Sequence, residues 1–183
     1  MAAVSFKAER LFQPGSIGGM TVPNRIVMPP MVTEYAAPGG HIAPAAVNYY
    51  AERARGGTGL VIVEASCVEP RGRAFRRQIA IYDDEFLPGL QELAGAIKAA
   101  GARAAIQLHH AGMATGTKAT GSPPLGPSPL AMRGYEPAQE MSPQDIREAH
   151  NAFARAALRA KQAGFDGVEI HAAHLYLLAQ FLS

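Results

Sequence analysis

Cysteine is almost missing from this chain: Cys67 is the single one in 183 residues. That count excludes an internal disulfide and any zinc or iron–sulfur centre built from cysteines. Net charge is equally scarce. A formal balance of +2 is too small to argue for nucleic acid or an anionic membrane as a partner. No apolar run approaches the roughly 20 residues of a membrane-spanning helix. Met1 to Arg10 mixes charges without an apolar signal core, so a cytoplasmic location is expected. What is present, 48% apolar and 17% charged residues, suits one globular domain with a sizeable core.

Apolar periodicity divides the chain into alternating extended and helical segments. Leu11 to Asn24 reads as two short extended pieces around Gly15–Gly19, a hairpin-like cap. Arg25–Met28 is the first expected strand, stopped by Pro29-Pro30, which cannot donate to a ladder. Pro44 opens a helix that ends at Gly56-Gly57, and Gly59–Ala65 is a buried strand. Gly56, Gly57 and Gly59 precede that strand, so they fit a helix C-cap and turn better than a dinucleotide fingerprint. Pro88–Ala100 is a second helix and Ala102–Leu108 a third strand. Residues 112–141, rich in Gly, Pro, Ser and Thr, form a functional loop or a disordered one. Ser142, Pro143 and Asp145 supply the N-cap, first-turn proline and acid of a third helix. Its inward face is expected at Ile146, Phe153, Ala157 and Ala160, with Gly164 as its stop. Asp166–Ile170 is the fourth strand, and Leu177–Leu182 reads as the beginning of another helix.

The order βαβαβαβ predicts parallel strands joined by right-handed helical crossovers. A doubly wound sheet and a (β/α)-barrel both satisfy it. Polar residues at the ends of all four strands favour the barrel, whose active site draws on several strand tips. The fourth strand runs into His171, His174 and Tyr176. A His-x-x-His-x-Tyr cluster there can hydrogen-bond a substrate oxygen and deliver a proton. A metal site is the competing reading, but no Glu-bearing zincin pattern accompanies the pair. Packing by a tyrosine and satisfied ring histidines is another. His109 and His110 sit beside the site, with His110 read as structural. Arg71, Arg73, Arg76 and Arg77 form a basic run, either a solvated loop or a grip on a phosphate.

Four segments together resemble the Old Yellow Enzyme family of FMN-dependent NADH:flavin oxidoreductases. They are Asn24–Met31, Ala51–Ala54 with Gly57–Leu60, Gln107–Gly112, and Gly164–His174, in the family's order from about Leu11 to Ser183. The resemblance implies an α/β fold of (β/α)8 TIM-barrel type. Residues 1–183 would be its N-terminal half, about four parallel strands with the hairpin cap. It implies FMN across the barrel mouth and NAD(P)H as reductant. Pro29, Pro30, Met31 and Val32 would pass under the flavin, Ala65 would meet its edge, and the Gln107 amide would face its pyrimidine ring. His171 and His174 would hold the carbonyl oxygen of an unsaturated carbonyl or enoyl-CoA substrate, His171 also bordering the cofactor. Tyr176 would be the general acid.

Some positions depart from the family pattern. Leu175 stands where glycine is common, Val32 where Thr or Cys tunes the flavin, and Met113 where arginine is usual. A substrate-binding tyrosine of some relatives falls near Glu34 or Tyr35. A closed barrel takes about 250 residues, so the chain is expected to pair with a missing C-terminal half or with a second copy. Amine oxidation or demethylation is the alternative chemistry, and a non-catalytic half-barrel module the alternative role.

Overall fold

Parallel strands cannot be joined by tight turns, so each needs a crossover long enough to hold a helix. The proline-opened and glycine-closed segments of this chain provide those crossovers. The computed structural model describes residues 9–131 and 133–183. Strands β1 (Gly15–Ile17) and β2 (Met20–Val22) form an antiparallel hairpin, followed by β3 (Val27–Met28). Helix α1 (Pro44–Arg55) leads to β4 (Leu60–Cys67), and α2 (Leu87–Ala99) leads to β5 (Arg103–His109). The next connection carries α3 (Thr117–Thr120), β6 (Leu125–Gly126) and β7 (Gln139–Glu140). Then come α4 (Pro143–Gln162), β8 (Gly167–Ile170) and α5 (Leu177–Leu182).

The main sheet has the order β3-β4-β5-β8, parallel throughout, so spatial order follows chain order. Helices α1, α2 and α4 pack side by side against it. They share one core with the sheet, through Tyr50, Leu90, Leu93, Ile97 and Ala156 against Val61, Val63, Ile106 and Leu108. A doubly wound sheet reverses its order and carries helices on both faces. Sequential order with helices on one face is the geometry of four strands of a (β/α)-barrel. On the other face the hairpin residues Val22 and Met20 cover Leu60, Ile62 and Ala105 at one end of the strands.

Several element edges differ from the sequence expectation. Strand β3 begins at Val27. Strand β4 runs on to Cys67, because the Cys67 N–H donates to Ile79 O and its carbonyl accepts from Ile81 N–H. The capping box of α4 forms as its residues suggest: Asp145 N–H donates to Ser142 Oγ at 3.1 Å, and Ser142 N–H to Asp145 Oδ2 at 2.9 Å. Its inward face holds at three of the four expected positions: Ala160 is buried, and Phe153 and Ala157 pack half-buried against the core. Ile146 is the correction, at 42% exposed, and Ala149, Ala152 and Ala156 are buried instead, small residues that let the helix lie close to the sheet. In the connection after β5, β6 and β7 pair in parallel, and Leu125 and Met141 pack on Ala149 and Leu177.

Two of the sequence motifs turn out to be architectural. Asn24 Nδ2 donates to Gly57 O at 2.8 Å, and Asn24 Oδ1 accepts from Ile26 N–H. Gly59 lies against the same asparagine: a Cβ there would stand 2.5 Å from the Asn24 carbonyl oxygen. This lock joins β3 to the start of β4, at the opposite end from the histidines. Gly59→Ala should therefore cost about 2 kcal/mol through backbone displacement. Urea unfolding checks it, and an unchanged midpoint would contradict the lock.

Candidate functional site

The site begins with one extra residue. Between β4 and β5 the register runs Val63 opposite Ile106 and then Ser66 opposite Leu108, so Glu64 and Ala65 together face Gln107. A bulge re-aims side chains and frees backbone groups from the ladder. The Glu64 N–H donates to the Tyr50 hydroxyl at 3.0 Å, and Ala65 O accepts from Gln78 Nε2 at 2.9 Å. The buried Glu64 carboxylate accepts from both the N–H and the hydroxyl of Thr33, anchoring the segment that follows β3. Burial above all pushes its carboxyl up to about 6, the Thr33 bonds pull it partly back, and Glu34 adds a smaller upward push.

A cleft of about 530 Å³ opens at these strand ends. The residues that the resemblance assigns to the flavin and the substrate line it: Pro29, Pro30, Met31, Val32, Ala65, Gln107, His171, His174 and Tyr176. Glu169, missed in the sequence, lines it too. The Gln107 amide donates to Glu169 Oε1 at 2.6 Å. One amide hydrogen and the amide carbonyl oxygen of Gln107 remain for a ligand. The Met31 and Val32 N–H groups likewise meet no protein acceptor among the described residues. An apolar cleft edged by such unspent donors and acceptors fits a flat heterocycle with a polar rim, as FMN has.

After β8 the chain turns sharply. His174 and Leu175 adopt φ of 55° and 58°, the left-handed region that non-glycine residues avoid. Gln180 holds the turn, donating to Leu175 O at 2.5 Å and Ala111 O at 3.1 Å and accepting from Met113 N–H. The two imidazoles lie together, with His174 Nδ1 3.3 Å from His171 Nε2, and Ala173 N–H reaches His171 Nδ1. If Nδ1 accepts, the one ring proton of His171 points to His174, and His174 Nε2 is left to face a ligand. Burial, then the neighbouring His174, lowers the His171 pKa. The Tyr176 hydroxyl donates to no protein group among the described residues. Its pKa is raised, by burial and then by Tyr135 of the 112–141 connection, so it stays protonated near neutral pH.

Other polar residues lie outside the cleft. His110 is spent, with Nε2 on Glu69 at 2.6 Å and Nδ1 accepting from Gly112 N–H. Arg71 pairs with Asp145 at 3.4 Å and Arg73 reaches Gly39 O at 2.8 Å, while Arg76 and Arg77 are exposed. Tyr35 meets Tyr49 edge to face, 5.5 Å between centroids at 80°. Met113 is buried against Gly126. Among the described residues no helix is long and apolar enough to cross a membrane.

Two predictions follow from strain and burial. Leu175 is exposed, so Leu175→Gly removes the left-handed penalty at little loss of contact and should stabilise by about 0.5–1 kcal/mol. Leu175→Ala keeps the Cβ and should give no gain, which thermal unfolding of the pair would check. Glu64 binds its proton more tightly folded than unfolded, so its contribution to stability falls as pH rises from 4.5 to about 6. Relative to Glu64→Gln, the parent should lose about 2 kcal/mol across that window in urea titrations. Parallel profiles would contradict it.

A model of the NADH:flavin oxidoreductase / NADH oxidase family matches residues 10–183. The NADH oxidase of Thermoanaerobacter brockii is 43% identical over 177 residues, covering 94% of this chain and 27% of that protein. The NADPH dehydrogenase of Bacillus licheniformis is 43% identical over 178 residues, covering 95% of this chain and 51% of that protein. The chain thus spans about half or less of the length of these relatives. A solved 2-naphthoyl-CoA reductase, in complex with 2-naphthoyl-CoA, superposes with a TM-score of 0.91 at 32% identity over 95% of this chain and 29% of that one. This chain belongs to the NADH:flavin oxidoreductase family, that of the Old Yellow Enzymes, and membership implies FMN as cofactor with NAD(P)H as reductant.

Proposed function

We propose that the complete protein is an ene-reductase, reducing the C=C bond of α,β-unsaturated carbonyl or enoyl-CoA compounds. One observation carries this reading: an unspent Tyr176 hydroxyl and the His171–His174 pair share a cleft with Gln107 and the Pro29–Val32 segment. Pro29 to Val32, Ala65, Gln107 and His171 would hold the flavin. Bound FMN supplies the hydride that it has taken from NAD(P)H. His171 and His174 orient the substrate by its carbonyl oxygen, the His171 N–H turning from His174 to that oxygen. Donors fixed there stabilise the negative charge that grows as hydride reaches Cβ. Tyr176 then gives its proton to Cα, and the C=C bond becomes a single bond. The name of the 2-naphthoyl-CoA reductase supports a CoA thioester among the substrates.

The amine-oxidising alternative would be favoured by aromatic walls, and the cleft lining offers Tyr176 and two imidazoles. Pairing with further strands is proposed for the open edge, where Val168 and Ile170 are exposed beside an apolar recess walled by Ile146, Phe153 and Phe181.

The test is anaerobic. Flavin in the complete protein is reduced with NAD(P)H, cyclohexenone or a short enoyl-CoA is added, and reoxidation is followed by absorbance. The parent should reoxidise, and Tyr176→Phe should slow turnover about 100-fold. A reduced flavin that no enone or enoyl-CoA reoxidises would overturn the proposal.

A further inference from the structure

We propose that Gln78 and His109 form a buried positioning pair behind the cleft, Gln78 fixing His109 as the neutral Nε2–H tautomer and His109 seating the rings of His171 and Tyr176. Both side chains are completely buried, and neither lines the cleft. The orientation of the Gln78 amide follows from its neighbours. Its oxygen accepts from Ala74 N–H at 2.8 Å, so its nitrogen faces the other way. That nitrogen lies 2.9 Å from Ala65 O and 3.0 Å from His109 Nδ1. An amide nitrogen donates and does not accept, so His109 Nδ1 must present its lone pair. The ring proton is then on Nε2, and a second proton on Nδ1 would set two donors against each other. Burial agrees, since it leads in lowering the pKa of His109 to about 3, with His171 and His110 as the ionisable neighbours that push the same way.

The His109 ring in turn supports the reacting groups. Its centroid lies 4.3 Å from that of Tyr176 at 83° and 5.4 Å from that of His171 at 69°. His171 and Tyr176 are themselves 4.8 Å apart at 88°. Three mutually edge-on rings fix one another's tilt. Among the described residues His109 Nε2 is buried without a hydrogen-bond partner, so no hydrogen bond at that edge competes with the ring contacts. The same Gln78 nitrogen that sets the tautomer also holds the Ala65 carbonyl in the bulge. One amide therefore ties the residue proposed for the flavin edge to the proposed proton donor.

This inference rests on the proposed function for its kinetic consequence, but not for its chemistry. In the complete protein carrying FMN and 15N-labelled histidine, the His109 signals are assigned by their loss in His109→Phe. Nδ1 should resonate as unprotonated and stay so from about pH 5 to 8, where an ordinary histidine titrates. In Gln78→Glu, whose carboxylate accepts, Nδ1 should gain a proton. A protonated Nδ1 in the parent, or titration of His109 within that range, would overturn the inference whether or not any enone is reduced. On the kinetic side, Gln78→Glu and His109→Phe should each lower kcat for enone reduction about tenfold. In the Tyr176→Phe background each should cost only about threefold, because the share acting through the Tyr176 hydroxyl is gone and only the share acting through His171 remains. Fully additive losses would also overturn it.

Discussion

The bulge in β4 opposite Gln107 is the constraint on which the rest of the site depends. Without it, strict alternation would carry the ladder past Gln107 with one residue opposite it. With it, Glu64 and Ala65 share that place, and two backbone groups leave the ladder. Both are taken up at once, one by Tyr50 from α1 and one by Gln78 from the loop after β4. The Glu64 side chain then reaches the segment after β3. Three successive strand ends are thus tied together by a single irregularity, and β8 joins through the bond from Gln107 to Glu169.

The site also gathers the least comfortable residues of the chain. A carboxylate sits in the core with its pKa pushed up, and two consecutive residues hold left-handed backbone. Such features persist where surrounding contacts over-determine them. Here Thr33 answers Glu64, and Gln180 clamps the His174–Leu175 turn. At the other end of the strands the demands differ. There Asn24, Gly57 and Gly59 lock backbone to backbone, and the hairpin plugs the sheet. One end of the sheet carries these backbone locks and the other the polar cleft, the division of labour that barrels show generally.

Much of this was legible in the residues. Prolines and glycines at segment ends, apolar runs and a capping box placed the helices and strands to within a few residues. The histidines, Tyr176, Gln107 and Pro29–Val32 pointed to one rim. Glu169 could have been found, since alternation along Gly167–Ile170 sets it on the opposite face from the exposed Val168 and Ile170. The bulge left no such signal, because period-two patterning does not register an extra residue. Gln78 was invisible for a different reason: it lies in an aperiodic loop, and His109 is 31 positions away. On α4 the expected face missed only at Ile146, which lies near the helix start and is exposed, while close approach to the sheet added Ala152 and Ala156 to the buried set.

The central claim is that these strand ends converge on a seat for the flavin. A crystal structure of the complete protein with FMN bound tests it most directly. The isoalloxazine ring should lie over Pro29–Val32 with the Gln107 side chain at hydrogen-bond distance, about 3 Å. A flavin bound elsewhere, such as the opposite strand ends near Arg103 and Asp166, would contradict the account.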